Sequence, residues 1–229
     1  MLKAPPRPQL PKPYYDDGKG IVIYHGDSRQ LVSRLGRFDL LLTDPPYAIG
    51  ADKGKQGRGY GGSIMQGKKR VETQREYEGD WDDEPPTKEF LAQIVSLAKV
   101  SIIWGGNYFE LPVQKKWLVW DKLNTMPTFS DCELAWTTLP GVSVKKFELN
   151  GNGLMAKEKD REHPTQKPAD LIRWCISLVK DCETIFDPYM GSGTTLRAAK
   201  DLGKRCVGIE REEKYCEFAA RRLQQEVLL

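Results

Sequence analysis

Residues 37–47 read RFDLLLTDPPY, an apolar run that stops abruptly at Asp44-Pro45-Pro46-Tyr47. A short, nearly continuous apolar segment is the pattern of a strand covered on both faces. Such a strand belongs to an open, largely parallel sheet with helices packed on either side. Proline cannot donate to a sheet ladder, and the residue before it is pushed away from helical geometry. Thr43 to Tyr47 must therefore leave the strand as a stiff, extended segment with free backbone carbonyls. An acid and a free carbonyl fixed beside an aromatic ring could grip a planar group that carries an NH2.

The chain around this run fits the same class. Its 229 residues, 39% of them hydrophobic, suffice for one substantial α/β domain with a small insert. Asp17-Gly18 followed by Ile21-Val22-Ile23 predicts a hairpin. The stretch SRQLVSRLG predicts a short helix capped by Ser28 and stopped at Gly36. In TKEFLAQIVSLAK, Phe90, Leu91, Ile94, Val95 and Ala98 share one helical stripe, with Thr87 as the cap. VSIIWGGNYF, KKWLVWDK and CELAWTT read as strands, and KPADLIRWCISLVK as a helix. The last stretch reads strand, loop, helix, strand and closes on the amphipathic REEKYCEFAARRLQQEV. Alternating strands and helices specify an α/β sheet.

Composition removes several alternatives. No apolar run has the length of a membrane span, and the N-terminus lacks the apolar core of a secretory signal, so a cytoplasmic protein is expected. The five cysteines are widely spaced without a C-x-x-C pair, and the histidines are His25 and His163. Reduced, mostly buried thiols and no metal site are the expectation. The net charge is only +3, but residues 51–70 hold Lys53, Lys55, Arg58, Lys68, Lys69 and Arg70 against Asp52. That segment reads either as a solvated loop or as one that orders on phosphates.

The string TIFDPYMGSGTTLRAA places Gly191-Ser192-Gly193 between a strand ending at Asp187 and a helix starting near Thr194. Glycines there let a ligand approach the backbone, and a helix N-terminus offers free N–H groups to an anion. The following strand ends at Glu210, where a carboxylate can accept both hydroxyls of a ribose. Leu196 stands where a dinucleotide fingerprint needs its third glycine, and the loop has no lysine for a P-loop. A nucleoside whose anion is a carboxylate, such as S-adenosylmethionine, fits better than a dinucleotide.

With HGDS, DPPY, IIWGGNYF, FSDCELAWT, HPTQKP and DPYMGSGTT in this order, residues 20–225 closely resemble the amino-group DNA methyltransferases. These are the adenine-N6 and cytosine-N4 enzymes, here in the permuted β arrangement found in phage and restriction-modification enzymes. The resemblance implies a Rossmann-like, S-adenosylmethionine-dependent fold, with a Pro-rich arm over 1–20 and one catalytic domain over 21–229. It also implies DNA-contacting inserts at about 51–86 and 121–162, the latter an irregular polar region, and double-stranded DNA as partner. A homodimer and a cognate restriction nuclease stay open. By resemblance, Asp187, Pro188, Tyr189, Gly191, Gly193 and Thr194 line the methionine part of the cofactor, and Glu210 its ribose. Asp27 matches the acid that meets the cofactor's adenine amino group, and Asp44, Thr165 and Lys167 lie near its other end. Tyr189 replaces the family's usual Phe, and His163 is read as shaping its loop.

The exocyclic amine of a base is a poor nucleophile because its lone pair is delocalised into the ring. Asp44 and the Pro45 carbonyl, stiffened by Pro46, would accept its two hydrogens, and Tyr47 would stack on the base once flipped from the duplex. No covalent intermediate is needed. By the same resemblance, Asp at the first motif position implies adenine. The alternatives are N4-cytosine on the same scaffold, an inactive DNA-binding module, or a nicotinamide oxidoreductase that gives DPPY nothing to do. Lys53, Lys55, Arg58, Lys68, Lys69 and Arg70 follow Tyr47 and are the candidate DNA contacts.

Overall fold

The computed structural model describes residues 9–47, 85–123, 130–150 and 166–225, with the backbone of two short strands at 64–66 and 69–71. The strands are β1 (Tyr15–Asp16), β2 (Ile21–His25), β3 (Phe38–Thr43), β4 (Ile64–Gln66), β5 (Lys69–Val71), β6 (Ala98–Trp104), β7 (Trp117–Asp121), β8 (Cys132–Thr137), β9 (Lys145–Glu148), β10 (Thr184–Asp187) and β11 (Arg205–Glu210). The helices are α1 (Ser28–Leu31), α2 (Lys88–Ser96), α3 (Ala169–Ser177), α4 (Thr194–Asp201) and α5 (Glu213–Gln224).

Among the described residues the main sheet runs β1-β2-β11-β10-β3-β6-β8-β7-β9. Its centre, β2 to β6, is parallel throughout. β8 turns antiparallel to β6 and to β7, and β9 lies parallel to β7. The covered strand read from RFDLLLT is β3: Leu40 and Leu42 face the core formed with α3, α4 and α5, and Leu41 faces the core formed with α2. All three are fully buried. Chain direction leaves β10 through α4 toward β11, and leaves β3 through α2 toward β6. Strand order therefore reverses between β10 and β3. In open α/β sheets the crevice beyond the carboxyl ends at such a switch point is where ligands bind.

Several boundaries differ from the sequence reading. Asp27, not Ser28, caps α1, its carboxylate accepting the Arg29 N–H. A preceding Asp carboxylate competes better for a free helical N–H than a serine already inside the turn. Ala98 begins β6 because α2 ends at Ser96. Within 121–162, β8 and β9 belong to the main sheet, β9 over residues expected to be irregular, while 124–129 and 151–162 lie outside the described residues. β9 was hidden because Lys145-Lys146-Phe147-Glu148 carries one apolar residue on an otherwise exposed strand. β1 joins the sheet edge from within the expected 1–20 arm. β4 and β5 form a separate antiparallel hairpin inside the basic stretch. Cys175, Cys182, Cys206 and Cys216 are buried free thiols, whereas Cys132 is exposed.

Candidate active site

The crevice is built where β3 and β10 end side by side. The Thr43 hydroxyl donates to Asp187 over 2.8 Å, which ties the two strand ends together. Asp187 also accepts the Tyr189 N–H at 3.2 Å and is almost fully buried. Burial pushes its carboxyl up to about 6, although the Thr195 and Thr43 hydroxyls oppose the shift.

Beyond Asp187 and Pro188 the chain turns through the glycine loop. Gly191 and Gly193 take left-handed φ values of 50° and 78°, which glycine adopts without steric cost. At Gly193 a Cβ would also sit 2.7 Å from the Ala219 Cβ of α5. Gly193 caps α4 without a capping side chain, leaving first-turn N–H groups for an anion. At the end of β11, the Glu210 carboxylate accepts the Gly191 N–H at 3.0 Å and the Glu212 N–H at 2.8 Å. Burial nevertheless pushes Glu210 up to about 7.

On the other side of the crevice stands Asp44. Its carboxylate accepts the Tyr47 hydroxyl and, at 2.6 Å, the Lys167 ammonium. The Lys167 side chain is 7% exposed, too deep for a solvated lysine, and lies 3.0 Å from Glu133 Oε2 and 3.4 Å from the Tyr47 hydroxyl. Glu133 is held in turn by Lys122 at 2.6 Å. Burial pushes Asp44 up, Lys167 opposes that, and Glu133 reinforces it. Burial lowers Lys167, but Asp44, Glu133 and Tyr47 outweigh it and hold the ammonium well above the usual lysine range. Glu133 sits at about 2, burial being overcome by Lys167 and Lys122.

The Tyr47 ring lies on Tyr108, centroids 5.0 Å apart and nearly parallel, with the edge of Phe109 beside it. Gly105, at φ 68°, is where the chain passes this ring: a Cβ there would come within 2.1 Å of it. Tyr108 is 53% exposed, so this aromatic pair forms the outer wall of the site.

Asp44, Lys167, Asp187, Tyr189, Gly191 and Thr194 line one cavity of about 490 Å³, open solvent included. Glycines with left-handed backbone, an uncapped helix start and the Glu210 carboxylate suit a nucleoside bearing a carboxylate. Pro45 is buried and Pro46 half-buried in the extended segment after β3. Asp27, the cap of α1, paired with Arg29 at 2.8 Å, stands outside this lining, as do Pro188, Gly193 and Glu210. Thr165, His163, Lys53, Lys55, Arg58 and Lys68 lie outside the described residues, and Lys69 and Arg70 are described only as backbone of β5. Sequence reasoning missed Glu133, Tyr108 and the lining residues Trp104, Gln166 and Ser192. A lone acid in the apolar strand CELAWT was the available signal for Glu133.

The sequence model of the N6/N4 family, described as DNA methylase, matches residues 98–221. The chain belongs to this DNA methylase family. The type II methyltransferase M2.DpnII of Streptococcus pneumoniae is 27% identical over 95% of the methylase and 94% of its own length. M.HinfI of Haemophilus influenzae, also a type II methyltransferase, is 41% identical over 47% of the methylase and 38% of itself. Among solved structures, M1.HpyAVI in complex with SAM is similar with a TM-score of 0.55 and 21% identity, covering 87% of the methylase and 98% of that chain. The cytosine-N4-specific PvuII DNA methyltransferase is similar with a TM-score of 0.56 and 13% identity, covering 92% and 88%. Both likenesses are of fold.

Proposed function

We propose that the methylase transfers a methyl group from S-adenosylmethionine to the exocyclic N6 of adenine in double-stranded DNA, with the target base flipped out of the helix. The observation that carries this is one cavity in which Asp44 and the glycine loop face each other across the switch point. S-adenosylmethionine supplies an electrophilic methyl group carried on a sulfonium. The residues of the chain do the rest. Gly191, Gly193 and Thr194 with Asp187, Pro188 and Tyr189 form the seat, and Glu210 accepts the ribose hydroxyls. Asp27 and Thr165 are the proposed further contacts.

Asp44 and the Pro45 carbonyl accept the two amine hydrogens, which turns the nitrogen lone pair out of the ring and toward the methyl. Hydrogen bonds to a charged acceptor are worth roughly 1.5–3 kcal/mol each. The amine takes over the acceptor site on Asp44 now filled by the Tyr47 hydroxyl, and the Tyr47 ring, now covered by Tyr108, becomes the stacking face. The proton lost by the nitrogen passes to Asp44. Lys53, Lys55, Arg58, Lys68, Lys69 and Arg70 are the proposed phosphate contacts, following Tyr47 in the chain.

The type II relatives make a cognate restriction nuclease the proposed counterpart, and the cytoplasm the proposed compartment; among the described residues no helix is long and apolar enough to cross a membrane. Sedimentation of the purified chain decides between a monomer and a homodimer.

The test is methyl transfer from labelled S-adenosylmethionine to mixed-sequence duplex DNA, with mass spectrometry of the nucleosides, beside Asp44→Ala. N6-methyladenosine that disappears in the variant is the expected result. N4-methylcytosine would change the base, and cofactor binding without any product would leave a DNA-binding module.

A further inference from the structure

Behind Asp44 the site contains a largely buried chain of alternating charge whose other members the reaction as written does not use. From the inside outward it runs Asp44, Lys167, Glu133, Lys122, with separations of 2.6, 3.0 and 2.6 Å. Its members come from four places in the sequence: the end of β3, the segment before α3, β8, and the residue after β7. A buried ammonium against a single carboxylate would form a closed ion pair and take up the lone pairs that an incoming amine needs. Here one ammonium serves two carboxylates. The Lys167 ammonium lies 3.0 Å from Glu133 Oε2 as an ion pair, so Glu133 acts on Lys167 chiefly through charge. Lys122, on the far side of Glu133, keeps that second carboxylate ionised in its buried position.

Resting on the methyl-transfer reading above, we propose that Glu133 is a positioning residue for catalysis: by sharing the Lys167 ammonium, it leaves the Asp44 carboxylate incompletely neutralised and available to the target amine. It touches neither base nor cofactor and acts through Lys167. Two carboxylates are needed because one must stay a free acceptor, and one lysine is needed because a buried carboxylate without a cation would protonate and cease to accept. Among the described residues, the other titratable group in hydrogen-bond contact with Asp44 is Tyr47, whose hydroxyl donates to it. Asp187, across the crevice, adds a like charge within its field.

The test compares wild type, Glu133→Gln, Lys167→Gln and the double variant in single-turnover methyl transfer, with KM for duplex DNA and cofactor affinity measured alongside. Glu133→Gln is expected to lower the methyl-transfer rate on the order of tenfold, with KM and cofactor affinity changed far less. In the Lys167→Gln background the same substitution should add little, because its route is gone. A second readout needs neither cofactor nor DNA: carbon-13 titration of labelled aspartate side chains in the free protein. Removing the Glu133 charge should shift the Asp44 titration to lower pH. Should Glu133→Gln fail to fold, Glu133→Asp withdraws the charge by one methylene and should give a smaller loss in the same direction. A wild-type rate, an undiminished additive loss in the Lys167→Gln background, or an unmoved Asp44 titration would each overturn the proposal. If wild type does not methylate DNA while the Asp44 titration moves as expected, the charge coupling stands and the functional reading fails.

Discussion

Glu210 shows what burial does to a single carboxylate at the candidate site. Two backbone N–H groups hold its carboxylate, yet burial takes it from 4.5 to about 7. A folded-state value above the unfolded one means its contribution to stability is complete below about 4.5 and is lost as pH rises through about 7. In the role proposed for Glu210, ribose hydroxyls donate to the ionised form, so cofactor affinity runs in the opposite direction. Calorimetric titration with S-adenosylmethionine should show affinity rising between pH 6 and 8, with the slope lost in Glu210→Gln. Gly105 makes a steric prediction at the same scale. Alanine there would carry a positive φ of 68° and a Cβ 2.1 Å from the Tyr47 ring, which costs about 1–3 kcal/mol if the ring does not move. Gly105→Ala should therefore lower both thermal stability and the methyl-transfer rate, the second because Tyr47 can give way only by shifting. Asp44, Tyr47, Gly191 and Glu210 were legible from sequence because each belongs to a local string. Glu133 was not, because its partner Lys167 lies 34 residues away and only folding brings them to 3.0 Å.

Among the elements, the best-read ones have their signals inside themselves. α2 starts where Thr87 caps it, its hydroxyl oxygen accepting the Phe90 N–H at 3.2 Å, and it buries Phe90, Leu91 and Ile94. Thr87→Ala should cost roughly 1 kcal/mol, seen as about 2–4 °C in thermal unfolding. β3 was legible for a similar reason, its apolar run matching burial on both faces. β9 was not, since an exposed edge strand has no apolar alternation to display, and its place beside β7 comes from pairing rather than from its own residues. The boundary at Ala98 moved for a related reason: its side chain suits the end of the helical stripe, but the backbone is recruited into the β3–β6 ladder, where Phe38 pairs with Ala98.

For the whole molecule, the parallel centre of the sheet and its reversal between β10 and β3 place the glycine loop and Asp44 on one crevice. The sequence order of DPPY and the glycine loop is a matter of connectivity; their adjacency comes from β3 and β10 being neighbours. A cofactor seated there binds the folded state alone, and saturation to 100 times its Kd should add about 2.7 kcal/mol. Thermal unfolding with and without S-adenosylmethionine should show an upward shift of several degrees, reduced in Gly193→Ala, where a Cβ would press on Ala219. The division of labour within the crevice is tested most directly by Asp44→Asn in single turnover, with cofactor affinity measured on the same preparation. The expected result is a methyl-transfer rate reduced about 10- to 100-fold, with cofactor affinity changed only a few-fold. A variant that transfers methyl groups at the wild-type rate, or one that loses the cofactor and nothing else, would contradict the assignment of Asp44 as the acceptor of the amine.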